Sequence, residues 1–287
     1  MITSVVTEPG IKLVDFIHQE LKGSHSLRKI KKAIESNHAR VNGVTERFYS
    51  HLLNQGDRVE FDTEVLDASQ SKSPPQDKEA ILFEDDYLFI YNKPQGISSD
   101  SKVLSQQFPD YYLVHRLDKD TTGCLMFAKS LKVKTRMIDL FKEKKISKHY
   151  LAVVDGVPKK REGVEESFIG KVSSGSGSHK WGSVSPKNGQ HAKTLWSIEK
   201  RGKEASLLKM QPITGRTHQL RVHAMQMGHP ILGDFTYSRK FNCAFQVKRT
   251  LLHAYTLHFP HPVLDTYVKV KAPIPSDMKQ AIKQVCR

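Results

Sequence analysis

One acidic side chain, Asp118, stands in a sequence context that suits nucleophilic chemistry. It follows a short apolar run at residues 111–114 and precedes a turn-like Asp-Thr-Thr-Gly segment at residues 120–123. Arg116 and Lys119 adjoin it, and nearby cations favour the ionised form of a carboxyl group. An ionised carboxylate can attack an electron-poor carbon, such as an anomeric centre. An aspartate that only caps a turn is the alternative interpretation.

A second polar turn, residues 212–223, supplies cations that could face this carboxylate. Arg216 is the candidate partner of Asp118, because a guanidinium and a carboxylate pair in a rigid geometry. Contact with a phosphate at the start of a helix is the other role open to Arg216. His218 and His223 are five residues apart and do not share a helical face, so we expect no metal site in this turn.

The composition points to a polyanionic partner. The chain has 287 residues and a formal net charge of +15. Contacts from Lys and Arg to phosphate dominate nucleic-acid binding, so nucleic acid is the leading partner. The sequence shows no signal peptide, no apolar run near the roughly 18 residues of a membrane span, and no disulfide or metal spacing among its three cysteines. We therefore expect a cytoplasmic protein that binds neither a membrane nor a metal.

Hydrophobic patterns predict an α+β fold. From residue 80 onward, short apolar strands outnumber the helices and do not alternate with them regularly. This pattern favours a mainly antiparallel mixed sheet over a doubly wound parallel one. Helices are predicted after a capping Ser130, after a capping Ser276 and over residues 217–227. The Ser- and Gly-rich residues 173–185 are predicted to form a loop.

A polar stretch with a Pro-Pro pair, residues 66–79, is predicted to be a linker. It divides the chain into a small amino-terminal α/β domain, residues 1–65, and a large domain, residues 80–287. In the small domain, two helical patterns precede a Val-Asn-Gly turn and a Gly-Asp strand.

The small domain resembles the alpha-L RNA-binding module first described in a small-subunit ribosomal protein. Six basic residues between Lys22 and Arg40 are accompanied by a single acidic one. The resemblance implies that Arg28, Lys29 and Lys32 contact RNA, in agreement with this charge bias. A helical cap whose lysines are merely solvated is the alternative.

Five ordered segments of the chain resemble the motifs of the RluA family of RNA pseudouridine synthases. The first is the HRLD string at residues 115–118 with the Thr-Thr-Gly that follows, although family members more often have Ser at the position of Thr122 and an aliphatic residue at that of Cys124. The others are residues 92–96, 148–156, 214–223 and 228–234. The resemblance spans residues 80–272. It implies the pseudouridine synthase fold, conversion of uridine to pseudouridine, and no cofactor.

The resemblance also implies roles for individual residues. Asp118 would be the catalytic nucleophile or base, through either a covalent ester or a glycal intermediate, and Arg216 would hold it in place. Tyr150 would stack on the target base and its hydroxyl would help to remove the proton from carbon 5, whereas a residue that only fills the core is the alternative. A paired uridine must be extruded to reach such a site. Further substrate contacts are expected from His115, Arg116, Leu220 and Lys93.

Three functions compete at this point. The alpha-L module favours large-subunit ribosomal RNA as the substrate of a pseudouridine synthase, and tRNA stays open as a second substrate. A non-catalytic RNA-binding or ribosome-assembly protein would have no need to keep Asp118, Tyr150 and an arginine together. A glycoside hydrolase needs two separated carboxylates, and only Asp120 lies near Asp118. We expect a monomer.

Overall fold

The computed structural model describes residues 1–35, 37–67, 80–100, 102–173 and 179–286. The chain divides into two compact units. The smaller consists of Met1–Lys72, Ser173–Lys180 and Asp234–Phe241, and the larger of Ser73–Val172, Trp181–Gly233 and Asn242–Arg287. The predicted linker lies outside the described residues, except for its first two positions, which end a short helix.

The smaller unit combines an antiparallel sheet with helices that cover it. Its strands are β1 (Ile2–Val5), β2 (Ala39–Val41), β3 (Val44–Thr45) and β4 (Arg58–Phe61), paired in the order β1-β4-β2-β3. Its helices are α1 (Leu13–Glu20), α2 (Leu27–Glu35) and α3 (Glu64–Asp67). The apolar faces of α1 and α2 and the inner side chains of β2 and β4 share one core. This confirms the two predicted helices and the predicted strands.

The turn between β2 and β3 follows directly from its two residues. Asn42 and Gly43 have φ values of 52° and 77°. A two-residue hairpin needs positive φ at both positions, and Asn-Gly is the pair that adopts this conformation most readily. The turn predicted from Val-Asn-Gly is therefore confirmed.

The larger unit is built around an eleven-stranded sheet. Its strands are β5 (Ile81–Glu84), β6 (Leu88–Lys93), β7 (Tyr112–Leu113), β8 (Thr122–Ala128), β9 (Ser147–Asp155), β10 (Glu162–Ser173), β11 (His179–Ser183), β12 (Gln190–Arg201), β13 (Ala205–Pro212), β14 (Leu252–Pro260) and β15 (Tyr267–Lys271). Nine of them follow the order β11-β10-β12-β13-β9-β14-β8-β6-β5, while β15 pairs with β14 and β7 with β8. The β14–β8 pair is parallel, and the other pairs whose register is described are antiparallel. The predicted α+β fold with a mainly antiparallel mixed sheet is confirmed.

The helices of the larger unit are α4 (Lys102–Gln107), α5 (Leu131–Lys142), α6 (Gln219–Gln226) and α7 (Ser276–Val285). Ser130 caps α5 as predicted, because its side chain accepts a hydrogen bond from the backbone N–H of Val133. Ser276 does not cap α7. Instead it is the first helical residue, since the extended backbone of Pro275 already occupies the capping position.

Two predictions of local structure are wrong. Residues 122–123 begin strand β8 instead of continuing a turn. All seven residues of β8 are buried, because α5 packs against one face and an aromatic group that includes Phe89 and Phe127 packs against the other. A strand buried on both faces shows no alternation of polar and apolar residues. The predicted loop at residues 173–185 also contains strand β11, and residues 174–178 lie outside the described residues.

Gly123 allows β8 and β14 to meet at the start of their parallel pairing, where it is opposite Ala254. Its φ is 102°, a value that side chains with a Cβ rarely adopt. A Cβ at this position would lie 2.2 Å from the carbonyl oxygen of Ala254. Only glycine fits here, and Ala254 is also the residue opposite Tyr150 on β9. One row across the sheet therefore links Tyr150, Ala254 and Gly123.

We predict that Gly123→Ala lowers the free energy of unfolding by about 3–5 kcal/mol, because the substitution adds a backbone clash to conformational strain. Gly228→Ala is the matched control, since Gly228 has φ of 77° but nothing lies within 4 Å of an added Cβ. There we expect a loss of about 1–2 kcal/mol from strain alone. Urea unfolding of the two variants checks this, and equal losses would contradict the close approach of β8 and β14.

Candidate active site

The loop that carries Asp118 is fixed by a buried lysine. Lys93, the last residue of β6, is fully buried, and its ammonium group donates hydrogen bonds to the carbonyl oxygens of Pro94 (2.8 Å), Ile97 (2.9 Å) and Lys119 (3.0 Å). Burial lowers the pKa of this group to about 7, and the negative charge of Asp120 opposes that shift. The prediction that Lys93 contacts substrate is wrong, because its three donors are already used inside the protein.

Hydrogen bonds also hold the rest of the loop backbone at residues 117–120. Each carbonyl oxygen from residue 117 to residue 120 accepts a hydrogen bond, in order from Ser99 Oγ (2.8 Å), Thr121 N (3.1 Å), Lys93 Nζ (3.0 Å) and Arg249 Nη1 (3.3 Å). Arg249 is itself buried and pairs with Asp277 of α7 through two hydrogen bonds of 2.6 and 3.0 Å. Because every carbonyl is bonded, the position of the Asp118 side chain is set by the surrounding sheet and helix.

Two cationic or potentially cationic side chains face the Asp118 carboxylate. Arg221 Nη1 lies 3.3 Å from Asp118 Oδ2, and His218 Nε2 lies 3.8 Å from the same oxygen. The Arg221 side chain is 9% exposed and the Asp118 side chain 28% exposed. A nearly buried guanidinium therefore orients a carboxylate that remains open to a ligand.

Arg216 does not occupy this position, so the predicted pairing of Arg216 with Asp118 is wrong. Its guanidinium donates instead to the backbone oxygen of His191 (3.0 Å) and to Gln190 Oε1 (2.7 Å), both at the start of β12. Arg216 therefore points toward strand β12, whereas Arg221 supplies the cation at the carboxylate.

Arg216 lies away from Asp118 because of the way in which the turn at residues 214–218 leads into helix α6. The buried side chain of Gln219 accepts from Thr214 Oγ1 and Arg216 N and donates to Lys193 O, which ties the turn to β12. His218 then adopts a left-handed conformation with φ of 57°, so the helix begins only at Gln219. His218 and Arg221 are three residues apart, a spacing that places two side chains on one side of a helical turn. In the sequence, this spacing was the signal that His218 and Arg221 lie side by side.

Tyr150 lies in the middle of β9 and is buried, with 9% of its surface exposed. Burial, followed by the negative charge of Asp118, raises the pKa of its phenol well above the usual range. The phenol is therefore protonated at neutral pH. The charge of Asp118 therefore acts on this phenol.

The other predicted substrate contacts differ in accessibility. His115 accepts a hydrogen bond from Met126 N (3.2 Å), and burial, together with the charge of Lys148, lowers its pKa to about 3. It is thus a neutral group that is bonded to the backbone of β8. Arg116 is exposed and pairs with Asp100 at 2.7 Å, while Leu220 is buried. Of these three, Arg116 is the one presented to solvent.

No helix in the described part of the chain is long and apolar enough to cross a membrane. Within the same residues, no group of three or more His, Cys, Asp or Glu side chains has an arrangement that could hold a metal ion.

Comparison with known proteins assigns the chain to a family. A family described as RNA pseudouridylate synthase matches residues 87–226. Ribosomal large subunit pseudouridine synthase C of Yersinia pestis is 31% identical over 308 residues, which cover 98% of this chain and 94% of that protein. The namesake from Rickettsia typhi is 36% identical over 208 residues, 68% of each chain. The solved structure of human RNA Pseudouridylate Synthase Domain Containing 4 superimposes with a TM-score of 0.59 at 25% identity, covering 71% of this chain and 92% of that one.

The chain belongs to the RNA pseudouridylate synthase family and is an isomerase of that class. The resemblance inferred from the five sequence motifs is thereby confirmed.

We predict that Lys93→Met lowers the free energy of unfolding by about 3 kcal/mol, because three buried carbonyl oxygens lose their donor. The loosened loop should also reduce turnover, since catalysis is sensitive to displacement of a reacting group by about 1 Å. Lys102→Met, at an exposed position on α4, is the control and should change neither quantity. Urea unfolding and RNA modification assays measure both, and unchanged stability of Lys93→Met would refute the role assigned to this ammonium group.

Proposed function

We propose that this protein converts uridine to pseudouridine in large-subunit ribosomal RNA, with Asp118 as the catalytic nucleophile or base. The observation that carries this proposal is the Asp118–Arg221 pair on a loop whose four carbonyl oxygens are all hydrogen-bonded. The names of the relatives from Yersinia pestis and Rickettsia typhi support ribosomal RNA as the substrate. Modification of ribosomal RNA also supports a cytoplasmic location.

The reaction needs one carboxylate and no external reactant. Asp118 either attacks the anomeric carbon of the ribose to form an ester, or removes a ribose proton to form a glycal. In both routes the bond from the anomeric carbon to N1 of uracil breaks, the freed base turns, and carbon 5 bonds to the sugar. Carbon 5 then loses its proton and N1 gains one, and in the glycal route Asp118 also returns the ribose proton that it removed, so that the product is an isomer of the substrate. Arg221 holds the carboxylate in line with the sugar throughout.

Tyr150 and Leu220 supply the base pocket in this proposal. A protonated phenol cannot itself accept the proton from carbon 5, so the raised pKa of Tyr150 supports a stacking role for the neutral ring. Formation of an ester at Asp118 would remove the negative charge that helps to raise this pKa. The uridine reaches this depth by extrusion from its RNA helix, and the exposed Arg116 beside the loop is suited to contact its phosphate.

The smaller unit supplies a second, non-catalytic RNA contact in this proposal. In α2, the apolar side chains of Ile30 and Ile34 are buried, whereas Arg28, Lys29 and Lys32 are exposed. This separation leaves a basic surface on one side of the helix, as expected for contacts with the phosphate backbone.

Pseudouridine mapping tests the catalytic proposal directly. Ribosomal and transfer RNA from cells with and without the gene would be mapped by carbodiimide primer extension. We expect the loss of one or a few marks in large-subunit ribosomal RNA. Wild-type protein should restore these marks and Asp118→Asn should not. Marks lost only from tRNA would overturn the assigned substrate, and no lost mark would favour a non-catalytic binding protein.

Steady-state kinetics distinguish the role of Arg221 from that of Arg216. We predict that Asp118→Asn reduces kcat by roughly 10⁴-fold or more while RNA affinity stays within a few-fold. Arg221→Gln should reduce kcat by about 100-fold, because the carboxylate loses its orienting partner. Arg216→Gln is the matched control and should act mainly on KM. An equal fall in kcat for Arg216→Gln and Arg221→Gln would show that the pairing at Asp118 is not functionally specific.

The salt dependence of RNA binding tests the smaller unit. We predict that replacing Arg28, Lys29 and Lys32 with Gln lowers the slope of log K against log salt concentration by about two to three, since each phosphate contact contributes just under one. The control replaces Lys279 and Lys283, which are exposed on α7, and should leave the slope unchanged. Filter binding across a salt series measures this. An unchanged slope in the triple variant would remove the α2 surface from the RNA interface.

A further inference from the structure

A groove lies beside the active site in the larger unit. Its volume is about 540 Å³, and it is lined by residues of β10, β11, the turn before β12, and positions 215–217. Sites for small ligands typically have volumes of roughly 300–1,000 Å³. Three of the lining residues are glycines, Gly170, Gly189 and Gly215. At Gly215 the nearest atom to an added Cβ would be 3.8 Å away, so the backbone there is open to the approach of a flat group.

The charge of the groove suits an anion. Lys171, Lys187 and Arg216 line it, and no acidic residue is among its described lining residues. The guanidinium of Arg216 is held at its edge by the hydrogen bonds to the start of β12 described above. Glu166, an acidic residue on the neighbouring strand β10, is paired with His191 and Lys193. The groove therefore presents one hydrogen-bonded cation and two exposed lysines.

Trp181 supplies an aromatic surface in the same groove. Its side chain is half-buried, and within the residues that the structure describes it makes no hydrogen bond and no ring contact. The chain's other tryptophan, Trp196, is buried and its indole N–H donates to Glu165 at 3.3 Å. An indole flanked by cations is a typical stacking surface for an unpaired base, and such stacking is tolerant of sequence.

The turn at residues 215–218 connects the groove to the candidate catalytic site. Thr217 lines the groove, and the next residue, His218, lies 3.8 Å from the Asp118 carboxylate. On the other side of the turn, a Cβ added to Gly215 would lie 3.8 Å from Lys148 Nζ. Lys148 is two residues from Tyr150 on β9 and therefore shares its face of the strand. A path of cations runs from the base pocket to the groove.

Lys148 strengthens this path because no carboxylate within the described chain pairs with it. Burial lowers the pKa of its ammonium group to about 8. An RNA phosphate close to Lys148 would supply the missing counter-charge and favour the protonated form.

We infer that this groove binds an unpaired nucleotide next to the target uridine, with the base stacked on Trp181 and the phosphate held by Arg216 and Lys148. The inference rests on the proposed action on RNA. Extrusion of the target uridine breaks its stacking on its neighbours, which costs a few kcal/mol. Stacking of the neighbouring nucleotide on Trp181 recovers part of that cost. The groove therefore favours target uridines whose neighbouring nucleotide is unpaired or easily unpaired.

Tryptophan fluorescence tests the stacking contact, because the chain has two tryptophans. The full-length Trp196→Phe variant leaves Trp181 as its single indole. Titration with single-stranded hexauridylate should quench its fluorescence, whereas an abasic hexaribophosphate of equal charge should bind without quenching. If Trp196→Phe fails to fold, the difference in quenching between wild type and Trp181→Phe gives the same information. Absence of quenching by hexauridylate at saturation would overturn the inference.

The affinity of the protein for hexauridylate provides a second test of the inference. Trp181→Ala should weaken hexauridylate binding by about tenfold, the effect of losing one stacked base, while Trp181→Phe retains most of the affinity. Tyr267→Ala removes an exposed aromatic ring elsewhere on the unit and should have no effect. Arg216→Gln should lower the salt slope by about one. Equal affinity of Trp181→Ala and wild type would exclude the groove.

The two proposals can fail separately. A wild-type protein that forms no pseudouridine in ribosomal RNA, yet shows Trp181 quenching by hexauridylate, would refute the proposed function and support the groove. A protein that modifies ribosomal RNA normally, with neither quenching nor a higher KM in Trp181→Ala, would refute the groove alone.

Discussion

The buried ammonium group of Lys93 is the interaction on which the catalytic site depends. An unpaired buried charge costs several kcal/mol, so the three carbonyl groups around Lys93 cannot move away without a large penalty. One of them, that of Lys119, follows Asp118 directly. Since β6 also pairs with β8, the loop is anchored at its base and at its end by the same two strands. The direction of the Asp118 carboxylate is consequently a property of the sheet.

The sheet also determines which groups meet at Asp118. The order β9-β14-β8 places Tyr150 and Gly123 on either side of Ala254 in one row. Gly123 permits this because a Cβ would collide with the carbonyl group of Ala254. Helix α6 then brings Arg221 to the carboxylate from a turn that Gln219 ties to β12. Three distant parts of the chain thus converge through packing constraints that lie outside the catalytic residues themselves.

Sequence motifs indicated which segments form the candidate site better than they predicted the directions of side chains. Asp118 and Tyr150 were predicted from motif positions, and the charge of Asp118 contributes to the raised pKa of the Tyr150 phenol. Arg216 and Arg221 lie in one motif, and choosing between them required knowing that α6 begins at Gln219. Lys93 was misinterpreted because lysine is almost never fully buried. Strand β8 was missed because burial on both faces erases the alternation by which strands are recognised.

The cations that give the chain its net charge of +15 have different roles in the structure. Lys93 and Arg249 are buried and bonded to backbone oxygens or to Asp277, so they contribute to folding and offer nothing to a polyanion. Arg216 is held by neutral oxygen atoms, and its positive charge therefore remains uncompensated at the groove. A cation is available to a polyanion only where the fold leaves it accessible, and this distinction depends on the folded structure. Composition predicts the kind of partner, and the fold separates the buried cations from the accessible ones.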